Sequence, residues 1–395
     1  MNGAPGQSAA GAALRIGLVA GEASGDQLGA ALIDALRARA PNLECFGVAG
    51  PKMVAAGCDA WASAEELAVM GLTEVLRHLP RLLRLRRMLV ARFLETRPHV
   101  FVGIDAPEFN LGLAARLKAR GLATVQYVSP QVWAWRQGRV RTIAQSCDLI
   151  LCLLPFEPEF YARHGVQALF VGHPLADQIP LIIDRAGARR TLRLDENATI
   201  VALLPGSRVG EAERLGTDFA LAAAWIAQQR PGVEFIAPMA TAAVRRVFER
   251  QVAAAYPRIR LLDGRAREAL AACNAAIVTS GTATLETLLS KRPMVVAYRF
   301  AAPTAFVARR FGLVKAKFMA QPNLLAGRAL VPELLQEQVT PAALGAALLR
   351  ELDDPVREQM LAKEFARIHE QLRCDGAERA ADAILECAGW AARCA

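Results

Sequence analysis

Several stretches of this chain place polar or charged residues directly after apolar runs. In FVGIDAPEFN, residues 101–110, Asp105 comes straight after a strand-like segment. Its carboxylate should therefore project beyond the strand's carboxyl end, where partial desolvation raises basicity, as a general base requires. The same aspartate would equally cap the next helix, and Glu108, past the proline, is a second candidate for the base. GEASGDQLG, residues 21–29, is the corresponding loop of the first strand. There Glu22, Ser24 and Asp26 offer hydrogen bonds to a polyhydroxylated ligand, or again a helix cap.

TSGTATLET, residues 279–287, joins an apolar strand to an apolar helix. Unpaired N–H groups and the positive end of the helix dipole meet at Ser280, Gly281 and Thr282, so an anion belongs there, with glycine permitting close backbone approach. Glu286, one turn in, is placed to accept bonds from vicinal hydroxyls such as those of a ribose, whereas an ordinary N-cap is the plainer reading of the whole stretch. LLPGSRVGEAE, residues 203–213, adds Ser207 and Arg208 after another strand. The guanidinium fork suits phosphate oxygens, although pairing with Glu211 is the simpler alternative. Asn323 in QPNLLAGR is expected to reach the same region. Two such strand-end loops in one half of the chain read best as a nucleotide diphosphate site.

SPQVWAWRQGR, residues 129–139, sets Trp133 and Trp135 beside Arg136 and Arg139; such rings stack on sugars, cover acyl chains or fill a core. No G-x-x-x-x-G-K-[ST] occurs, and GLVAGEASGD stands where a dinucleotide-binding G-x-G-x-x-G would, which disfavours P-loop kinases and dehydrogenases. The five histidines lack metal-ligand spacing, and the eight cysteines, with no C-x-x-C, fit a reducing cytosol.

The elements that must position these groups follow a regular rhythm. Short Val-, Ile- and Leu-rich runs (14–20, 44–48, 99–104, 123–128, 148–154, 168–172) alternate with helical patterns, and the rhythm restarts at 199–205, 233–238, 259–264, 275–280 and 294–298. Non-alternating apolar strands separated by helices predict doubly wound parallel sheets, whose ligands bind at the carboxyl ends of the strands. At 395 residues two domains are expected. The expected division is a tail over 1–13, one Rossmann-like domain over 14–175 and a second over 176–340 that carries the nucleotide diphosphate site, with an interdomain cleft. Helices over 341–395 close the second domain or cross back.

The tail lacks a secretory signal pattern, no apolar run is long enough to span a bilayer, and the net charge of +9 favours a polyanionic partner. In LPRLLRLRRMLVARFLETR, residues 79–97, Arg81, Arg84 and Arg92 gather on one helical face, with Arg77 if the helix reaches it. That basic face would lie on anionic lipid, unless the helix simply packs on the sheet. TAFVARRFGLVKAKF, residues 304–318, repeats the theme.

Taken together, AGEASGDQLGA, GVAGPKM, MGLTEVL, GIDAPEFN, YVSPQVWAWRQGR, LLPFEPEFY, GHPLAD, LLPGSR, TSGTATLE, PMVVAYR and PNLLAGR resemble the lipid-A-disaccharide synthases of Gram-negative bacteria from about residue 15 to residue 337. The resemblance implies a GT-B glycosyltransferase, working by inversion without metal or cofactor. It would transfer 2,3-diacylglucosamine from its UDP conjugate to 2,3-diacylglucosamine 1-phosphate at the cytoplasmic face of the inner membrane. The residues read above fit this reaction with Asp105 as base, or Glu108 in its place, with Ser207, Arg208, Ser280, Gly281, Thr282, Glu286 and Asn323 on the donor and Glu22, Ser24, Asp26 and Trp135 on the acceptor. Arg77, Arg81 and Arg84 would contact the anionic membrane. A homo-oligomer is compatible with this, and nucleic acid is not an expected partner, since no RNP-like pattern of aromatic and basic residues occurs. The rival readings are a UDP-sugar 2-epimerase of the same architecture and a non-enzymatic basic membrane-binding module.

Overall fold

Leu14–Ala20 (LRIGLVA) is almost wholly buried and forms β1, an interior strand of a parallel sheet. The computed structural model describes residues 13–67, 72–133, 137–300 and 317–390, with the backbone alone given for 72–78 and 137. The N-terminal tail, Trp135, the Arg77 side chain, almost all of the basic stretch 304–318 and the last five residues lie outside that description.

The chain divides into two compact units, one running to Asp177 and resuming at Leu372, the other Gln178–Gln371. In the first, β1 is followed by α1 (Glu22–Arg39), β2 (Leu43–Ala49), α2 (Pro51–Ala55), β3 (Cys58–Ser63), α3 (Leu72–Thr96), β4 (Val100–Ile104), α4 (Pro107–Lys118) and β5 (Ala123–Tyr127). Then come α5 (Val140–Ser146), β6 (Leu149–Cys152), α6 (Glu157–Ala162), β7 (Ala168–Phe170) and α7 (Pro174–Gln178). The seven strands are ordered β3-β2-β1-β4-β5-β6-β7. Order therefore reverses between β1 and β4, and these two run in register from Ile16 opposite Val100 to Ala20 opposite Ile104. A crevice opens at such a switch point because the connecting loops diverge to opposite faces of the sheet.

The sheet is covered on both faces, which explains why its central strands are apolar without alternation. One layer combines α1 and the helix Gly376–Cys387; the other combines Leu85, Leu89 and Phe93 of α3 with Phe109 and Leu113 of α4. The C-terminal helix is tied into this unit by Asp177, whose carboxylate accepts from the N–H groups of Cys374 and Asp375 (both 3.1 Å) and Gly376 (2.9 Å).

The second unit contains α8 (Arg185–Leu192), β8 (Thr199–Leu204), α9 (Val209–Gln229), β9 (Val233–Met239), α10 (Ala242–Ala255), β10 (Arg260–Asp263) and α11 (Ala266–Ala272). β11 (Ala275–Thr279), α12 (Thr282–Leu289), β12 (Met294–Tyr298), the helix Gln321–Ala326 and β13 (Glu333–Leu335) complete a six-stranded parallel sheet. Its order is β10-β9-β8-β11-β12-β13, so the switch point falls between β8 and β11, which pair from Val201 opposite Ala275 to Leu204 opposite Val278. The helix Pro341–Asp353 starts at an N-cap, Thr340, which accepts from Ala343 N–H at 3.2 Å, and packs on α9.

The expected pair of doubly wound α/β sheets is what the chain forms. Two strands were not anticipated, β3 and β13. Both are edge strands with part of their surface open to solvent, and neither has a continuous buried apolar run.

Candidate active site

In the first unit, Asp105 leaves β4 with φ 53°, and Ala106 follows with φ 41°. Two successive left-handed residues, neither of them glycine, are sterically costly and persist only where surrounding contacts fix them. Those contacts are present: Asp105 N–H donates to Tyr127 O at 2.9 Å, and its carbonyl accepts from Asn110 Nδ2 at 2.9 Å and Gln126 Nε2 at 3.0 Å. The β1 loop closes tightly over the turn, since a Cβ on Gly21 would lie 2.6 Å from the Ala106 Cβ. Ser24, exposed in the first turn of α1, donates its hydroxyl to Asp105 Oδ2 at 3.2 Å. Glu22 is exposed beside it, itself left-handed at φ 61°.

Asp26 departs from its expected place on the ligand side. It is buried, and its two carboxylate oxygens accept the N–H groups of Lys52 and Met53, both at 2.9 Å, so that it caps α2 from a neighbouring helix. Both oxygens are thereby directed into the fold.

Glu108 is exposed, and its carboxylate is gripped by the Arg139 guanidinium, with Nη2 to Oε2 at 2.8 Å. Arg86 bonds the Glu108 carbonyl at 3.3 Å and lies 4.9 Å over the Phe109 ring, so the arginine that interrupts the apolar stripe of α3 is accommodated against an aromatic face. Trp133 donates Nε1 to Glu157 at 3.0 Å and packs edge-on against Phe156. Glu157 is buried, and burial pushes its carboxyl up to about 7 against the hydrogen bonds from Leu154 N–H and Trp133.

In the second unit, β8 is followed by Pro205 and Gly206 (φ 124°), and the N–H groups of Ser207 and Arg208 donate to Glu211 Oε2 at 3.1 and 3.4 Å. The Arg208 side chain is 67% exposed and stands 3.8 Å from Glu211, close enough for a loose ion pair and free enough to turn to a ligand. At the neighbouring strand end, Gly281 adopts φ 152° and ψ −160°, a conformation reserved for glycine, and no atom lies within 4 Å of where its Cβ would be. No side chain caps α12. Gly281 and Thr282 are exposed there, and no described side chain accepts from their N–H groups.

Ser280 and Asn323 differ from expectation. The Ser280 hydroxyl donates to Met319 O at 2.8 Å, leaving only its lone pairs for a ligand. Asn323 is buried, and all four of its hydrogen-bonding valences are satisfied: Nδ2 donates to Val331 O and Glu333 Oε1 at 2.9 and 2.7 Å, while Oδ1 accepts from Leu330 and Val331 N–H at 2.7 and 2.8 Å. Glu333 in turn accepts from Met319 and Ala320 N–H. Asn323 therefore braces the segment on which Ser280 leans and has no donor left for a sugar or phosphate. The Glu286 carboxylate takes no hydrogen bond from a described residue; burial raises it above the usual range, with Arg267 opposing.

On α3, Leu85, Leu89 and Phe93 are buried, while Leu79 and Leu83 remain exposed beside Arg81 and Arg84. Arg81 pairs with Glu66 at 3.0 Å. Among the described residues no helix is long and apolar enough to cross a membrane, and no group of three or more His, Cys, Asp or Glu is placed to hold a metal.

Two parallel sheets with polar loops at both switch points are the architecture of GT-B sugar-nucleotide enzymes. The calicheamicin glycosyltransferase CalG4 superposes with a TM-score of 0.59 at 16% identity, over 96% of this chain and 100% of that one. UDP-GlcNAc 2-epimerase from Neisseria meningitidis, solved bound to UDP-GlcNAc, gives 0.62 at 10% identity over 94% and 98%. At such identities the likeness speaks for the fold alone. The sequence narrows it: the chain belongs to the lipid-A-disaccharide synthetase family, whose model matches residues 16–384. Lipid-A-disaccharide synthase of Pseudomonas aeruginosa (strain UCBPP-PA14) is 52% identical over 374 residues, 94% of this chain and 98% of that protein. The Azotobacter vinelandii (strain DJ / ATCC BAA-1303) synthase is 54% identical over 380 residues, covering 95% and 98%. The chain is thus a glycosyltransferase of lipid A disaccharide synthesis.

Proposed function

We propose that Asp105 is the general base of this transfer. The donor is UDP-2,3-diacylglucosamine and the acceptor 2,3-diacylglucosamine 1-phosphate. Asp105 takes the proton of the acceptor 6-hydroxyl as that oxygen attacks the anomeric carbon; the new C–O bond forms as the bond to the diphosphate breaks, inverting the centre and releasing UDP. The observation that carries this reading is the Asp105 carboxylate itself. It is half-buried at the switch point of its sheet and accepts from Ser24, while the carboxylate of Glu108 is held by Arg139. A base must be both positioned and available, and of the two only Asp105 is.

The charge that develops on the departing diphosphate is met in the second unit by the uncapped N-terminus of α12 at Gly281 and Thr282 and by Arg208, with Ser207 exposed beside it. Glu286 is the acceptor for the ribose hydroxyls. Glu22 and Ser24 orient the acceptor sugar, and Trp135 remains a proposed acceptor contact outside the described residues. The exposed leucines of α3 beside Arg81 and Arg84 support peripheral contact with the anionic cytoplasmic face of the inner membrane, where acylated substrates reside.

The test is mass spectrometry of products from the two acylated sugars. Unaltered protein should yield the disaccharide phosphate and UDP, and Asp105→Asn should yield it about 10²- to 10⁴-fold more slowly. Isomerisation of UDP-N-acetylglucosamine incubated alone would instead support an epimerase.

A further inference from the structure

Gln126 is a glutamine in the middle of an otherwise apolar strand, fully buried in β5 and opposite Gly103 in the parallel register. Its Nε2 donates to Asp105 O at 3.0 Å and lies 3.3 Å from Tyr127 O and 3.4 Å from Val128 O. Val128 is itself left-handed at φ 75°, a conformation that a β-branched residue rarely adopts. Asn110, also fully buried, donates to the same Asp105 carbonyl at 2.9 Å and reaches Val19 O and Ile104 O at 3.2 and 3.4 Å. Each NH2 group faces three carbonyl oxygens, which fixes the orientation of both amides, because the reverse orientation would set oxygen against oxygen.

Two features mark these amides as more than filler. Asn110 Oδ1 and Gln126 Oε1 are buried without a hydrogen-bond partner, an arrangement that costs stability relative to an apolar side chain of the same shape. Space for them exists because residue 103 is glycine: a Cβ there would lie 2.8 Å from the Asn110 Cβ and 3.0 Å from Gln126 Oε1. A core selected for stability alone would fill this position with apolar side chains. The one atom that both amides hold is the carbonyl of Asp105, the residue whose side chain is the proposed base.

Resting on the assignment of Asp105 as base, we infer that Gln126 and Asn110, in the space left by Gly103, are positioning residues that clamp the left-handed Asp105–Ala106 turn and so aim the carboxylate. Gln126 does this for two strand ends at once, linking the turn after β4 to the one at Val128 that opens the Ser129–Trp133 loop.

The experiment is steady-state kinetics and thermal unfolding of Gln126→Met in the unaltered and the Asp105→Asn backgrounds, with Gly103→Ala as a second route to the same clamp. Methionine matches the glutamine in size but removes the donor together with the unpaired oxygen. Gln126→Met should leave Tm unchanged or raised and KM for both sugars within about twofold, and lower kcat about 10- to 100-fold, the loss typical of a small misplacement of a catalytic group. In the Asp105→Asn background the same substitution should change kcat by less than about twofold, because residues acting through one group are not additive. A full kcat in Gln126→Met, or an equal loss in both backgrounds, overturns the clamp and leaves the base assignment standing. Full activity in Asp105→Asn alone overturns the base assignment and the clamp with it. Should Gln126→Met fail to fold, Gly103→Ala decides on the same kcat, KM and double-substitution criteria.

Discussion

Ser24 and Asp105, eighty-one positions apart in sequence, meet through a 3.2 Å hydrogen bond from the serine hydroxyl to the aspartate carboxylate. The contact joins the carboxyl ends of β1 and β4, the two strands between which the order of the first sheet reverses. It engages one carboxylate oxygen, so that the other is the one the proposed base would offer to the acceptor hydroxyl. Removing the tether in Ser24→Ala should lower kcat by about three- to tenfold, the worth of one hydrogen bond to a charged group at a partly exposed site, with little change in stability. Initial rates at saturating donor and acceptor check this; an unaltered kcat would mean that the serine does not orient the base.

Arg208 is an exposed cation at the second switch point, and its loose pair with Glu211 is weak enough to yield to a diphosphate. Arg208→Ala should weaken UDP binding by about 1.5–3 kcal/mol, roughly 10- to 150-fold, more than any single hydroxyl deletion in the α12 loop. Calorimetric titration with UDP measures this. Equal affinities would show that the arginine stays with Glu211.

Asn323 carries a different signature. Asn323→Ala strands the buried N–H groups of Leu330 and Val331 and removes a donor from Glu333, so unfolding should cost on the order of 2–4 kcal/mol less. Tm should fall by several degrees, with UDP affinity reduced only as the Met319 segment loosens. A variant of unchanged Tm that had lost UDP binding would return Asn323 to direct ligand contact.

The central strands and both switch-point loops were legible because buried parallel strands announce themselves as short apolar runs and their ends as glycine, hydroxyl or acid. β3 and β13 were not, since an edge strand need not be apolar on both faces. Asp26 and Asn323 show a second limit. A polar side chain beside a loop looks the same in sequence whether its valences face a ligand or are consumed within the fold, and the groups that consume those of Asp26 lie 26 and 27 positions away. Gln126 does leave a signal in the sequence, since a glutamine inside ATVQYV is the kind of conflict between burial and polarity that marks a functional constraint.

Stability should depend on pH in two opposed ways. Burial raises the Glu157 carboxyl to about 7, above its unfolded value, so its contribution is fully present at pH 4.5 and is lost as pH rises through 7, on the order of 3 kcal/mol at most. Burial lowers His173 to about 4, so its contribution is present above pH 6.5 and lost as pH falls through 4. Glu157→Gln should therefore reduce the decline in Tm between pH 5 and 8 while keeping the acid-side decline, which His173→Gln should in turn reduce. Parallel pH profiles for Glu157→Gln and unaltered protein would mean that the buried carboxyl stays ionised throughout.

Reversing charge at Arg81 and Arg84 should weaken association with anionic vesicles by at least about tenfold, given about 1 kcal/mol per basic residue at such a surface. Arg84 should contribute more, because Arg81 is partly neutralised by Glu66. Flotation of the double variant measures it; undiminished flotation would move the contact away from α3.

The base assignment is tested most directly by single-turnover product analysis of Asp105→Asn with both acylated substrates present at saturation. Disaccharide formation should slow by about 10²-fold or more while UDP-sugar affinity stays within about twofold of the unaltered protein. Disaccharide formed by the variant at an undiminished rate would contradict it.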